Sequence, residues 1–461
     1  MSREIIYGIL VSVMSVILLT GCDGGGGDGG GGIGGTDELR LGGDTTVFDA
    51  SSQAFNFPAT GLSDEGLIKH DQGDGSFDSI FVSSPSPVNP GLGPVFNNNS
   101  CQSCHANNGR GRPDDALTSL LFRVSVPGES AVGGPNPVAG FGLQLQTRST
   151  VGTEKEAGVT IEYTETAGEY GDGTPYSLRA PVYTVVDPYI PLPVELLISP
   201  RIAPPVFGIG LLEAIPEDEI LADADPADED GDGISGRPNY VWDFEKGAIA
   251  LGRFGWKANT PTARQQAADA YNQDMGVTSP LFPAESSAGQ TQEDGLGDDP
   301  EITAETLDDT VFYIQTIAVP ARREFDEESR RGQKLFEQAG CATCHTPIHT
   351  TAIHPTRNEP TLNNQVIFPY TDLLLHDMGD GLADRRPDFL ANGREWRTSP
   401  LWGVGLTQTT NGHTNFLHDG RARTLEEAIL WHSGEAENSK EFFRTLPAED
   451  RSALIKFLSN L

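Results

Sequence analysis

Two pentapeptides, Cys101-Gln-Ser-Cys-His105 and Cys341-Ala-Thr-Cys-His345, limit this chain more than any other feature. Each sets two thiols about one turn apart and follows them with an imidazole, the pattern to which c-type haem is attached. The thiols form thioethers with the porphyrin vinyl groups and the histidine ligates the iron. A zinc ribbon would hold its four ligands closer together, and a thiol redox pair needs no histidine in the fifth place. Two covalently attached haem c groups are therefore expected, on Cys101, Cys104 and His105 and on Cys341, Cys344 and His345.

The chain of 461 residues has five cysteines, and the fifth, Cys22, closes Leu19-Thr20-Gly21-Cys22. Residues 1–21 read as a lipoprotein signal peptide: Arg3 in a polar start, an apolar run from Ile5 to Leu19 too short for a membrane span, then small residues before a cysteine that would carry a lipid anchor. Residues 22–44 add a glycine-rich tether reaching roughly 20 Å. The expected address is the bacterial periplasm, anchored to a membrane through Cys22. No thiol is left for a disulfide or for thiol oxidoreductase chemistry. A formal charge of −35 excludes nucleic acid as a partner and favours basic proteins and cations.

Residues 36–100 are polar and turn-rich and read as an irregular approach to the first motif. Just after it, Arg110 and Arg112 are candidates to bind haem propionates. Short β-like runs follow at 121–126, 159–163 and 182–186, a β-rich insertion at about 120–190. An internal echo, Arg201-Ile-Ala-Pro-Pro-Val-Phe-Gly-Ile-Gly-Leu211 against Arg397-Thr-Ser-Pro-Leu-Trp-Gly-Val-Gly-Leu406, suggests duplicated modules. Asp228, Asp230 and Asp232 alternate before Gly233, as oxygens converge in a calcium loop. Asn239 stands where a bidentate glutamate is expected, so a Ca2+ site and a solvated acidic turn both remain open. Helices are predicted over 303–318, over 326–339 and from the capping box at Thr424 through His432. A last one covers 448–461, with Leu454, Ile455, Leu458 and Leu461 on one face.

Phe96-Asn-Asn-Asn-Ser-Cys-Gln-Ser-Cys-His105, Gly109-Arg-Gly-Arg-Pro113, Gly210-Leu-Leu-Glu-Ala-Ile-Pro216, Gly252-Arg-Phe-Gly-Trp-Lys257 and Phe416-Leu-His-Asp-Gly-Arg-Ala-Arg-Thr-Leu-Glu-Glu-Ala-Ile429 together resemble the bacterial di-haem oxidoreductase family. Its members are similar to the di-haem cytochrome c peroxidases. The resemblance implies a mainly α chain with two cytochrome c-like haem domains, at 45–300 and 301–461, the first carrying the β-rich insertion, with long irregular loops. It implies one haem with an open face for a small oxidant such as hydrogen peroxide, and a second, closed by another protein ligand, that relays electrons from a donor protein.

In those relatives the closing ligand stands fourteen residues after the histidine of His-Asp-Gly. From His418 that count gives His432, so the second iron is expected between His345 and His432; Met378 and Met275 are the alternatives. For the first iron only His70 competes as a closing ligand, and an open face is expected. By the same resemblance Glu213 is the candidate distal acid or base, its alternative role being that of a carboxylate at a helix N-terminus. His418 is assigned to the second haem's surroundings, and Trp256 is a candidate bridge between the irons or a packing residue. A non-catalytic electron-transfer lipoprotein is the competing function; high-spin iron that binds cyanide or peroxide separates the two.

Overall fold

Two helix crossings of like construction frame the molecule in the computed structural model, which describes residues 36–114 and 116–461. The helix Asp64–Asp78 lies across Ala304–Thr316, and Glu327–Gln338 lies across Ala448–Asn460. At each crossing a glycine lets the backbones touch: a Cβ on Gly73 would stand 2.2 Å from the Asp309 carbonyl oxygen, and one on Gly332 1.9 Å from that of Ala453. Four residues on, where a side chain lies on the same helix face, Phe77 and Phe336 turn toward the following motif. Their rings lie 6.2 Å from the imidazoles of His105 and His345, tilted 52° and 53°. The terminal helix buries Leu454, Phe457, Leu458 and Leu461, each contributing about 1.5–3 kcal/mol of burial.

The echoed segments meet each other. Gly208 and Gly403 both take left-handed backbone at φ of 72° and 70°. Trp402 packs over Gly208 while Phe207 packs over Gly403. The repeat in the sequence is thus a reciprocal contact between the two halves.

Strands fill much of 120–202. Leu120–Glu129 pairs antiparallel with Leu197–Ile202, from Leu120 opposite Ile202 to Ser125 opposite Leu197. Gly158–Glu169 and Pro175–Val186 form a twelve-rung hairpin. The hairpin braces the second half: Arg179 donates to the Arg421 carbonyl and to Asn415 Oδ1, Tyr183 donates to Asp419, and Asp172 pairs with Arg451.

Two expectations are corrected. Of the described residues 29% are helix and 19% strand, so they are not mainly α, and two cytochrome c-like domains are not found among them. Residues 36–461 make one contact unit, in which strands and loops occupy the ground between short helices. Residues 36–100 are also not wholly irregular, since they contain the helix Asp64–Asp78. Its four aspartates and three glycines hide it from propensity, and the crossing at Gly73 stabilises what local sequence does not. The signal segment, Cys22 and residues 23–35 of the tether fall outside the described residues, whereas residues 36–44 are not tether but folded chain, with short helical turns at Thr36–Leu39 and Gly43–Thr45 and Leu41 fully buried. No helix among the described residues is long and apolar enough to cross a membrane.

Candidate functional site

The first motif folds as a single turn, Cys101–Cys104, because Ser100 Oγ accepts the Ser103 amide. Cys101, Cys104 and His105 all open onto a cavity of about 1670 Å³ counted to its mouth. His105 Nδ1 lies 2.7 Å from the Pro204 carbonyl oxygen. A carbonyl only accepts, so Nδ1 carries the hydrogen and Nε2 keeps its lone pair. Burial pushes this imidazole down to about 4, so it is neutral, the ligating form. Burial also pushes both thiols up to about 12, which disfavours the thiolate that redox exchange or zinc would need.

The second motif repeats this on a cavity of about 1390 Å³ lined by Cys341, Cys344 and His345. His345 Nδ1 donates to the Tyr370 carbonyl at 2.9 Å, and burial again takes the ring down to about 4. His432 lies on the same wall system, at the end of the helix Leu425–Trp431 that Thr424 caps through the Glu427 amide. Its Nδ1 is 2.6 Å from the Ala428 carbonyl, which leaves Nε2 as the lone-pair nitrogen.

Trp256, Arg110, Arg397, Ser399 and Pro400 line both cavities. Trp256 is fixed by a 2.8 Å bond from Nε1 to the Ile202 carbonyl. Among the described residues neither arginine makes an ion pair. Arg110 donates to the Leu417 carbonyl, and Arg397 to those of Gly255 and Thr398. Burial lowers both guanidinium groups to about 10, and a buried cation without an anion is costly. Two neutral thiols, an anchored neutral imidazole, apolar walls and unpaired guanidinium groups suited to propionates are a donor set that fits a haem in each cavity.

The other predicted site residues lie as follows. Glu213 is off both cavity walls, at the N-terminus of Ala263–Met275. Its carboxylate accepts the Ala263 amide at 3.0 Å and the Gln315 side chain, and His354 Nε2 is 3.5 Å away. Burial pushes this carboxyl up. His70 bonds Thr316 Oγ1 at 2.8 Å against the Tyr313 ring and also lines neither cavity. Met275 lines the first cavity, not the second; Met378 lines the second. Arg112 is exposed beside Asp114. His418 lines the second cavity, its ring stacked on Trp396 at 3.8 Å and 12°. In the acidic loop Asp225, Asp228 and Asp230 converge within 4.8 Å of one another. Asp232 instead accepts the Ile234 amide, so the trio that meets is not the alternating one read from sequence.

Two groups escaped the sequence reading. Asp274 is the one carboxylate on the first cavity's wall among the described residues. Burial drives it up to about 6 against the pull of Arg123 and of Gln144, whose Nε2 donates at 2.7 Å. Asp274 directly precedes Met275, one of the alternative ligands. Beside Cys344, His376 donates to Asp372 Oδ2 and to Glu435 Oε2, each at 2.7 Å. Burial opposes its charge, but the bonds to Asp372, Cys344 and Glu435 outweigh it and hold His376 protonated. Asp372 and Glu435 stand 63 positions apart in the sequence, so no motif joins them.

Residues 36–461 match the family model described as "Di-haem oxidoreductase, putative peroxidase". The chain belongs to that family, as the paired cavities would suggest. No protein of curated function matches. A solved structure of hydrazine synthase from Kuenenia stuttgartiensis, pressurised with xenon, is similar over 93% of this chain and 97% of its own, at 14% identity and a TM-score of 0.34. A superposition that loose supports no argument about this chain.

Proposed function

We propose that this di-haem oxidoreductase is a periplasmic, membrane-tethered enzyme of peroxidase type, with the first haem reactive and the second relaying electrons. The observation that carries the reading is the inequality of the cavities: among the described residues the first contains His105 as its one histidine, and the second adds His432 to His345. Haems held through Cys101 and Cys104 with His105, and through Cys341 and Cys344 with His345 and His432, would supply reduction of the oxidant at the first site and electron relay at the second.

The chain's own residues do the rest. His105 and His345 present neutral Nε2 atoms held in place by the Pro204 and Tyr370 carbonyls. Asp274 takes the role first given to Glu213: above about pH 6 it is a carboxylate able to accept a proton from peroxide and return it to the departing oxygen. Arg110 and Arg397 would hold haem propionates, and Trp256 lines both sites. The acidic surface suits a basic electron donor, and Cys22 fixes the whole to a membrane.

The test is spectroscopic. Haem-loaded protein is expected to show one low-spin and one high-spin or water-ligated iron, the latter binding cyanide and responding to peroxide. Two low-spin irons inert to both ligands would overturn the enzyme reading in favour of simple electron transfer.

A further inference from the structure

Trp256 and Trp396 line the second cavity, Trp431 packs in the same apolar cluster, and each of the three has a cation on its ring face. Arg110 Cζ is 5.5 Å from the ring centre of Trp256, Lys257 Nζ 4.5 Å from that of Trp396, and Arg421 Cζ 4.8 Å from that of Trp431. A cation there stabilises the electron-rich ring and opposes positive charge on it. The indole N–H groups of Trp256 and Trp396 donate to the Ile202 and Leu382 carbonyls, which are poor proton acceptors. All three rings are therefore guarded against losing an electron.

Tyr183 is built the opposite way. Its hydroxyl donates to Asp419 Oδ2 at 3.1 Å, so its partner is a buried carboxylate. The ring packs in the same apolar cluster as Trp396 and Leu417 and meets Phe122 edge-on at 5.5 Å. Asp419 is fixed by Arg421 at 2.8–3.0 Å and directly follows His418 on the cavity wall. Next to Tyr183 in the hairpin, Val182 is half exposed, so the strand also meets solvent. Burial beside Asp419 raises the phenol far above its ordinary range; it does not shed its proton unless an electron leaves too.

We propose that Tyr183 is a redox-active side chain serving the second site. One electron passes from Tyr183 to the oxidised second haem as the phenolic O–H bond breaks and an O–H bond forms at Asp419. The neutral phenoxyl left behind is returned to tyrosine by one electron from an outside one-electron donor and the proton from Asp419. The inference rests on the peroxidase reading, in which reduction of peroxide to water supplies the oxidant.

The test is freeze-quench electron paramagnetic resonance of haem-loaded protein mixed with hydrogen peroxide. An organic radical is expected in the wild type, its hyperfine structure narrowed when the protein carries ring-deuterated tyrosine. It should persist in Tyr176→Phe and be lost in Tyr183→Phe, where the peroxide-oxidised haem should decay more slowly. An unchanged radical in Tyr183→Phe, or oxidised haem with no tyrosine signal in the wild type, overturns the inference alone. Haem spectra indifferent to peroxide overturn the peroxidase reading and this inference with it.

Discussion

The two cavities are alike on the side of the attachment motif and unlike elsewhere. Each motif follows a helix that brings a phenylalanine to 6.2 Å from its histidine, and each histidine gives its Nδ1 hydrogen to a backbone carbonyl. Among the described residues the first cavity then contributes one carboxylate, Asp274, and no second histidine; the second contributes His376, His418 and His432. Where the requirement is the same, to seat a ring and orient an imidazole, the chain repeats itself. Its chemistry resides in what it does not repeat.

The most direct way to break this comparison is to empty one side. Replacing Cys341 and Cys344 with alanine is expected to reduce covalent haem from two to one per chain by intact mass, leaving a peroxide-responsive iron. The Cys101 and Cys104 pair should give the reverse, a low-spin iron inert to peroxide. Equal spectra from both variants would abolish the asymmetry.

A second test concerns Asp274. Asp274→Asn should slow the reaction with peroxide by roughly 10²–10⁴-fold, the usual worth of a general acid or base. Proton acceptance needs the carboxylate, so the wild-type rate should climb as pH rises through about 6 and the variant's should stay flat. A matching pH profile in both would remove Asp274 from the chemistry.

His432→Ala should convert one low-spin signal to high-spin and leave the other haem unchanged; unaltered spectra would return the choice to Met378.

His376 sharpens the comparison through stability. His376→Ala leaves Asp372 and Glu435 without their shared cation, a loss of about 3–5 kcal/mol, read as a lower denaturation midpoint. The folded-state pKa of His376 is raised. Its contribution is therefore complete below the unfolded value near 6.5 and is lost as pH climbs through the folded one. The variant's deficit should shrink in alkali.

The smallest effect is expected at Glu213. Glu213→Gln should cost on the order of 1 kcal/mol, because the new amide meets two donors, the Ala263 amide and Gln315. Turnover should be untouched; a large fall with intact haem spectra would restore its catalytic role.

Local chemistry marked the two Cys-x-x-Cys-His motifs as candidate attachment sites, since thioether and iron ligation need two thiols and an imidazole close together, while His432 was reached through the family resemblance, fourteen residues after His418. The amphipathic helices at 304–316, 327–338 and 448–460 were legible for the same reason, their signal being contained in one turn repeated. Glu213 and Asp274 show where this ends. Both are carboxylates near helix ends, and nothing nearby in the sequence says which one faces a cavity. Packing decided it, by setting Glu213 on the amide of Ala263 and Asp274 at the far end of the same helix, on the wall. Tyr183 meets Asp419 across 236 positions, and His376 gathers carboxylates from two segments. What a candidate haem site needs locally, two thiols and an imidazole, can be read along the chain. Which groups back those residues, charged, buried and aimed, depends on the folded molecule, because a low-dielectric site is assembled from residues that share a wall and not a stretch of chain.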